Sequence, residues 1–161
     1  MIQRKQSLFL AGIFIISAYM VLADTRFFSG SFRSSEGQAY TFSVRAGQTE
    51  LSSDGTEVLP GVNVRYALAA TGLIALAGLF LFRRRELQIR FCAFNFLFML
   101  LGFFYVAYGY YRISVMEDIQ DLSIRPDASL VLLLLLPVFN FFALRGIRKD
   151  IELLASADRL R

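Results

Sequence analysis

No histidine occurs among the 161 residues of this sequence. That absence excludes a bis-His haem, a His-ligated zinc site, a Ser–His hydrolase and a histidine proton relay. Cysteine occurs once, as Cys92. An intrachain disulfide and a CxxC thiol-exchange pair are excluded, and so is a quinone-linked disulfide-forming membrane protein, which needs paired cysteines. Within an apolar stretch, Cys92 reads as a small packing residue rather than a reactive thiol. No Gly-rich phosphate-binding loop is present. Charge is also missing from four long runs: residues 7–23, 66–82, 91–111 and 128–144 contain no Asp, Glu, Lys or Arg. Pumps and proton-coupled transporters usually place ionisable groups inside their spans, so these runs argue against both.

The residues that are present make a membrane protein of this chain. Hydrophobic residues make up 56% and the mean hydropathy is +0.52. A span needs about 17–25 apolar residues, and four such runs leave too little polar chain to cover them in water. The expected fold is an all-α membrane protein. It is a single domain over residues 1–161, a four-helix transmembrane bundle with spans at 7–23, 66–82, 91–111 and 128–144. An external loop at 24–65 and a cytoplasmic tail helix at 145–161 complete it. The net charge of +4 does not point to nucleic acid, because the basic residues flank the apolar runs instead of lining one soluble face.

Lys and Arg set the orientation. Eleven of them, including Arg4, Arg83, Arg84, Arg85, Arg90, Arg145, Arg148 and Lys149, lie on one side, and six lie on the other. The positive-inside rule puts both termini in the cytoplasm of a multi-pass protein of the bacterial inner membrane. A cleaved signal peptide is the rival for residues 1–23, with Arg4 and Lys5 as its n-region. Its apolar stretch, however, exceeds the usual h-region of about 7–15 residues. All seven tyrosines fall on the outer half, as an interfacial aromatic belt does.

The external loop changes pattern. Tyr40, Phe42 and Val44 alternate with Thr41, Ser43 and Arg45, as in a strand. Ser35-Glu36-Gly37, Ala46-Gly47-Gln48 and Asp54-Gly55 are turn signals, and Pro60-Gly61 ends the segment. A small antiparallel sheet of three or four strands is expected here. Ile113, Met116, Ile119 and Leu122 recur at helical spacing, which predicts a helix continuing past Tyr111. Asp127 is placed to cap the fourth span, and Pro137 to kink it. Ala67, Thr71, Ala75 and Gly78 form a small-residue face suited to close helix packing. In the tail, Leu144, Ile147, Ile151 and Leu154 form a stripe suited to the membrane surface or to a docked protein, and Arg148 and Glu152 are spaced i,i+4.

Two polar residues stand inside spans, Asn95 and Asn140. Each reads first as an interhelical hydrogen bond, worth on the order of 0.6 kcal/mol, and second as a contact to a lipid headgroup or ligand.

Three segments carry a family resemblance. They are Met1-Ile2-Gln3-Arg4 with Gln6; Leu87-Gln88-Ile89-Arg90 with Cys92 and Asn95; and Ile147-Arg148-Lys149-Asp150 followed by Ser156-Ala157-Asp158-Arg159-Leu160-Arg161. In combination the chain resembles the family called domain of unknown function 4293, small four-span membrane proteins of Bacteroidota-type bacteria. The resemblance implies an inner-membrane protein of no established activity and supplies no catalytic residues. By the charge count all three segments lie on the cytoplasmic side. Arg4, Gln88, Arg90, Arg148, Lys149, Asp150, Asp158 and Arg159 are therefore the candidate partner or lipid contacts, with Asn95 and Asn140 beside them. The alternative is that these residues fix topology and close helix-end hydrogen bonds. The expected function is a non-catalytic accessory or scaffolding subunit. A transporter or a small-solute or lipid-binding protein is the alternative. No cofactor, metal or nucleic acid is expected; membrane lipids, a membrane-protein complex or a second copy are.

Overall fold

The computed structural model describes residues 5–34, 37–52, 56–59, 63–81, 84–115 and 119–159; side chains at 5, 56–59, 119–120, 154–155 and 157–159 stand outside that description. Four helices and five strands follow in the order α1 (Lys5–Leu22), β1 (Arg26–Ser34), β2 (Ala39–Arg45), β3 (Thr49–Ser52), β4 (Thr56–Leu59), α2 (Arg65–Phe80), α3 (Arg85–Ser114), β5 (Ile119–Pro126) and α4 (Ser129–Arg159). The uncharged runs do form the helices, but the expected all-α fold is corrected to α+β. The strands make one five-stranded antiparallel sheet in the order β4-β3-β2-β1-β5.

The expected four-helix transmembrane bundle is corrected as well. Among the described residues, two helices are long and apolar enough to cross a membrane, Arg85–Ser114 and Ser129–Leu153. Gln6–Leu22 and Arg65–Phe80 are shorter apolar helices. At about 1.5 Å per residue, α2 reaches only about 24 Å, short of a hydrocarbon core of about 30 Å. In the packing, α1 lies against α2 and α4, and α3 lies against the same two.

Buried positions on the helices recur at alternating three- and four-residue steps. On α3 they are Gln88, Cys92, Asn95, Met99, Gly102, Val106, Gly109 and Ile113. On α4 Leu133, Leu136, Asn140, Ala143 and Ile147 repeat the pattern, and on α1 so do Gln6, Leu10, Ile13, Ser17 and Met20. This period of about 3.5 is that of a knobs-into-holes seam. Ala67, Thr71, Ala75 and Gly78 are all buried on α2, as their spacing predicts. Small size matters there: a Cβ at Gly72 would meet the Ser17 Oγ at 2.5 Å.

The sheet turns its apolar face, including Phe32, Phe42, Val44 and Leu51, toward the helices. Val44 reaches α3 at Gly109, where a Cβ would lie 3.3 Å from its Cγ1, and Phe28 packs on Tyr110 with ring centroids 6.0 Å apart. The opposite face carries two cross-strand rows, Arg125–Ser29–Ser43–Glu50 and Ser123–Ser31–Thr41–Ser52. β2 holds the predicted alternation. Around Gly47 the predicted turn is closed by the Arg45 amide donating to the Gln48 carbonyl at 3.1 Å. Gly37 takes φ +85, whereas Ser35, Glu36, Asp54, Gly55, Pro60 and Gly61 lie outside the described residues.

β5 corrects the expected helical extension. α3 reaches Ser114, and the chain then returns as a strand beside β1, pairing Ser29 with Arg125 and Ser31 with Ser123. Leu122, Ile124 and Pro126 also alternate, so the segment satisfied either period; pairing with distant β1 decided it. Asp121, at φ +54, lies by the register shift between Ser31 and Arg33, where a bulge absorbs one residue. The expected tail is helical as far as Arg159, and it is continuous with the fourth apolar run: α4 passes through Pro137 and on to Arg159 as one helix.

Candidate functional site at the basic end of the helices

The candidate residues separate into a buried polar seam and an exposed basic stripe. Helical geometry produces the split. Gln88, Cys92 and Asn95 share the inward face of α3, so Arg90, about 200° around from Gln88 at 100° per residue, faces outward and is exposed. The predicted single inner surface is thereby divided. Arg4 lies outside the described residues, and Asp158 and Arg159 belong to the last turn of α4 with side chains outside the description.

The seam is a set of amides where α1, α2, α3 and α4 meet. Gln6 Nε2 donates to Asp150 Oδ2 at 3.0 Å, joining the start of α1 to α4. Arg85 Nη1 donates to the Asp150 carbonyl at 3.0 Å, and Gln88 Nε2 to the Gly78 carbonyl at 3.0 Å. Asn140 Nδ2 donates to the Cys92 carbonyl at 2.9 Å. Asp150 thus ties three helices together. Gln6, Gln88, Asn95 and Asn140 are all almost completely buried. The predicted interhelical hydrogen bond is present at Asn140 and missing at Asn95. Among the described residues, both polar atoms of the Asn95 amide lack a protein partner, as do Gln88 Oε1 and Asn140 Oδ1.

Asn95 therefore gives a signed prediction. Replacing a buried, unpaired polar group by an apolar one of similar shape is neutral or stabilising, because no partner is stranded. Asn95→Leu is expected to stabilise the fold by about 1 kcal/mol, read as a higher melting temperature in detergent. Asn140→Leu loses a made bond and is expected to cost about 0.6 kcal/mol. A fall on Asn95→Leu would mean that the amide holds a water or small molecule.

The stripe lies on α4. Phe141, Leu144, Arg145, Arg148, Lys149 and Glu152 line an open groove of about 560 Å³. Arg145, Arg148 and Lys149 are exposed. Among the described residues the only ion pairs are Arg45–Glu50 and Arg65–Asp24, both in the sheet half. Arg148 and Glu152 are spaced for a pair and do not make one. Sequence reasoning counted Arg145 toward topology and passed over it as a contact. The i,i+4,i+7 run Phe141-Arg145-Arg148 was the available signal. It likewise left Gln6 without a partner, although the step from Gln6 to Leu10 to Ile13 marks an inward position. Among the described residues there is no group of three or more His, Cys, Asp or Glu side chains able to hold a metal.

A sheet seated on one end of four apolar helices, two of them long enough to cross a membrane, defines an α+β class with a membrane-compatible helical part. The chain belongs to the family described as Domain of unknown function (DUF4293), whose model matches residues 2–160. No curated protein and no solved structure matches the chain.

Proposed function

We propose that the chain is a non-catalytic accessory or scaffolding protein of the bacterial inner membrane, crossing it through α3 and α4 and making its contacts through its polar ends. One observation carries the membrane part of this reading. Large apolar side chains stand exposed along both helices, among them Phe94, Leu97 and Phe104 on α3 and Leu134, Val138 and Phe141 on α4. A continuous apolar surface of this kind needs a non-aqueous partner, and lipid meets the need without leaving any backbone group unpaired.

The Lys and Arg count favours a cytoplasmic position for the end of α4. The Gln6–Asp150 bond, which joins the start of α1 to that end of α4, supports the same side for both. The accessory part of the reading draws on Arg145, Arg148 and Lys149 of α4, which have no carboxylate partner among the described residues and stand at the end of a span. Alkaline carbonate extraction followed by mild-detergent co-purification tests both parts. The protein is expected in the carbonate-resistant membrane pellet. Arg148→Glu with Lys149→Glu is expected to remove a stoichiometric co-purifying protein while leaving extraction unchanged. Release by carbonate would overturn the membrane reading; an unchanged set of co-purifying proteins would overturn the accessory reading. The groove on α4 also favours a second reading, lipid binding.

A further inference from the structure

The groove on α4 points to a more specific role, and we infer that it binds the phosphodiester headgroup of an anionic phospholipid in the adjoining leaflet. This inference rests on the reading that α4 crosses a membrane. Polarity along the lining of the groove changes within one turn. Phe141 and Leu144 come first, at the end of the uncharged run, and Arg145, Arg148 and Lys149 follow. An acyl chain against the first pair and a phosphate against the cations is the arrangement a membrane interface imposes on a bound lipid.

Arg145 and Arg148 are three residues apart, so their guanidinium groups leave one face of the helix a turn apart. Guanidinium forks suit phosphate oxygens geometrically. The Arg85 side chain, by contrast, is engaged by the Asp150 carbonyl, and Arg90 stands apart on the outward face of α3. Three cations and one acid line the groove, leaving it net positive, which favours an anionic lipid over a zwitterionic one. Glu152, one turn beyond Arg148, is placed to accept a hydrogen bond from a headgroup hydroxyl such as those of phosphatidylglycerol. A groove of about 560 Å³ falls within the usual range for small-ligand clefts, about 300–1,000 Å³.

Native mass spectrometry of the full chain in detergent tests the inference, with phosphatidylglycerol, phosphatidylcholine and inorganic phosphate as probes. Phosphatidylglycerol is expected to bind more tightly than phosphatidylcholine, with inorganic phosphate failing to displace it. Arg145→Gln with Arg148→Gln is expected to weaken phosphatidylglycerol roughly thirtyfold without lowering the melting temperature. Arg90→Gln is expected to leave binding unchanged. Equal binding of the two lipids, an unaffected double variant, or displacement by inorganic phosphate would each overturn the inference. Carbonate extraction reports separately on membrane residence: a protein that stays in the pellet yet shows no lipid preference refutes the headgroup site alone.

Discussion

Gly30→Ala is expected to destabilise the sheet by about 3 kcal/mol, near the upper end of what one added methyl group costs in a packed site. Gly30 lies on the inner face of β1, between β2 and β5. A Cβ there would fall on the Ser123 carbonyl oxygen of β5 and within 2.6 Å of Phe42 Cζ. Neither neighbour has room to yield. The carbonyl belongs to the backbone of a paired strand, and Phe42 is buried beside Phe32, with ring centroids 6.4 Å apart. Relief requires separating β5 from β1, which breaks the connection between α3 and α4 away from the sheet. A melting curve in detergent, paired with limited trypsin digestion at Arg33 and Arg45, reads both consequences. Gly37→Ala is the comparator. Gly37 has φ +85 and nothing within 4 Å of its Cβ position, so its cost is confined to backbone strain of about 1 kcal/mol. Equal melting temperatures for the two variants would show that β1 and β5 do not approach as closely as described.

The two helices with span length were legible because absence of charge over many residues is a local signal. Their true ends were not. α3 starts at Arg85 and α4 ends at Arg159, since charged residues extend a helix beyond the apolar run as readily as they stop it. The same signal overstated α1 and α2, which are apolar yet shorter. β2 was legible because Tyr40, Phe42 and Val44 bury one face by strict alternation. β5 was not, because its apolar residues fit two periods and its partner β1 lies some ninety residues away. For the candidate site, the residue types were legible and their grouping was not. Gln88 and Arg90 are two apart in sequence and face opposite ways on a helix, while Gln6 and Asp150 meet across 144 residues. Asp24 follows directly on the first uncharged run, and nothing in that placement shows which distant groups its carboxylate meets.

That residue carries the other large effect. Asp24→Ala is expected to destabilise the protein by about 3 kcal/mol, by adding three separate losses. Asp24 adopts φ +45 at the end of α1. Asp tolerates this left-handed conformation, and Ala pays about 1–2 kcal/mol for it. Asp24 Oδ1 accepts from the Gly47 amide at 2.8 Å, a bond that holds the β2–β3 turn against the helix end and contributes about 1 kcal/mol. Arg65 Nη2 reaches the same oxygen at 2.9 Å. Both partners of this ion pair are partly exposed, at 43% and 30%, so solvent screening limits it to about 0–1 kcal/mol. The surrounding backbone shows why one carboxylate matters: Ala46 donates to the Thr25 carbonyl at 3.0 Å, and Arg65 donates to the Ala46 carbonyl at 2.7 Å. α1, the sheet and the start of α2 therefore share a single junction. The components separate by substitution. Asp24→Asn keeps the conformation and an acceptor, and is expected to lose about 1 kcal/mol. Asp24→Gly restores the conformation without the acceptor and falls between Asn and Ala. The expected order of melting temperatures is Asp, Asn, Gly, Ala; a Gly variant no more stable than Ala would remove backbone strain from the explanation and leave the carboxylate alone as the fastener.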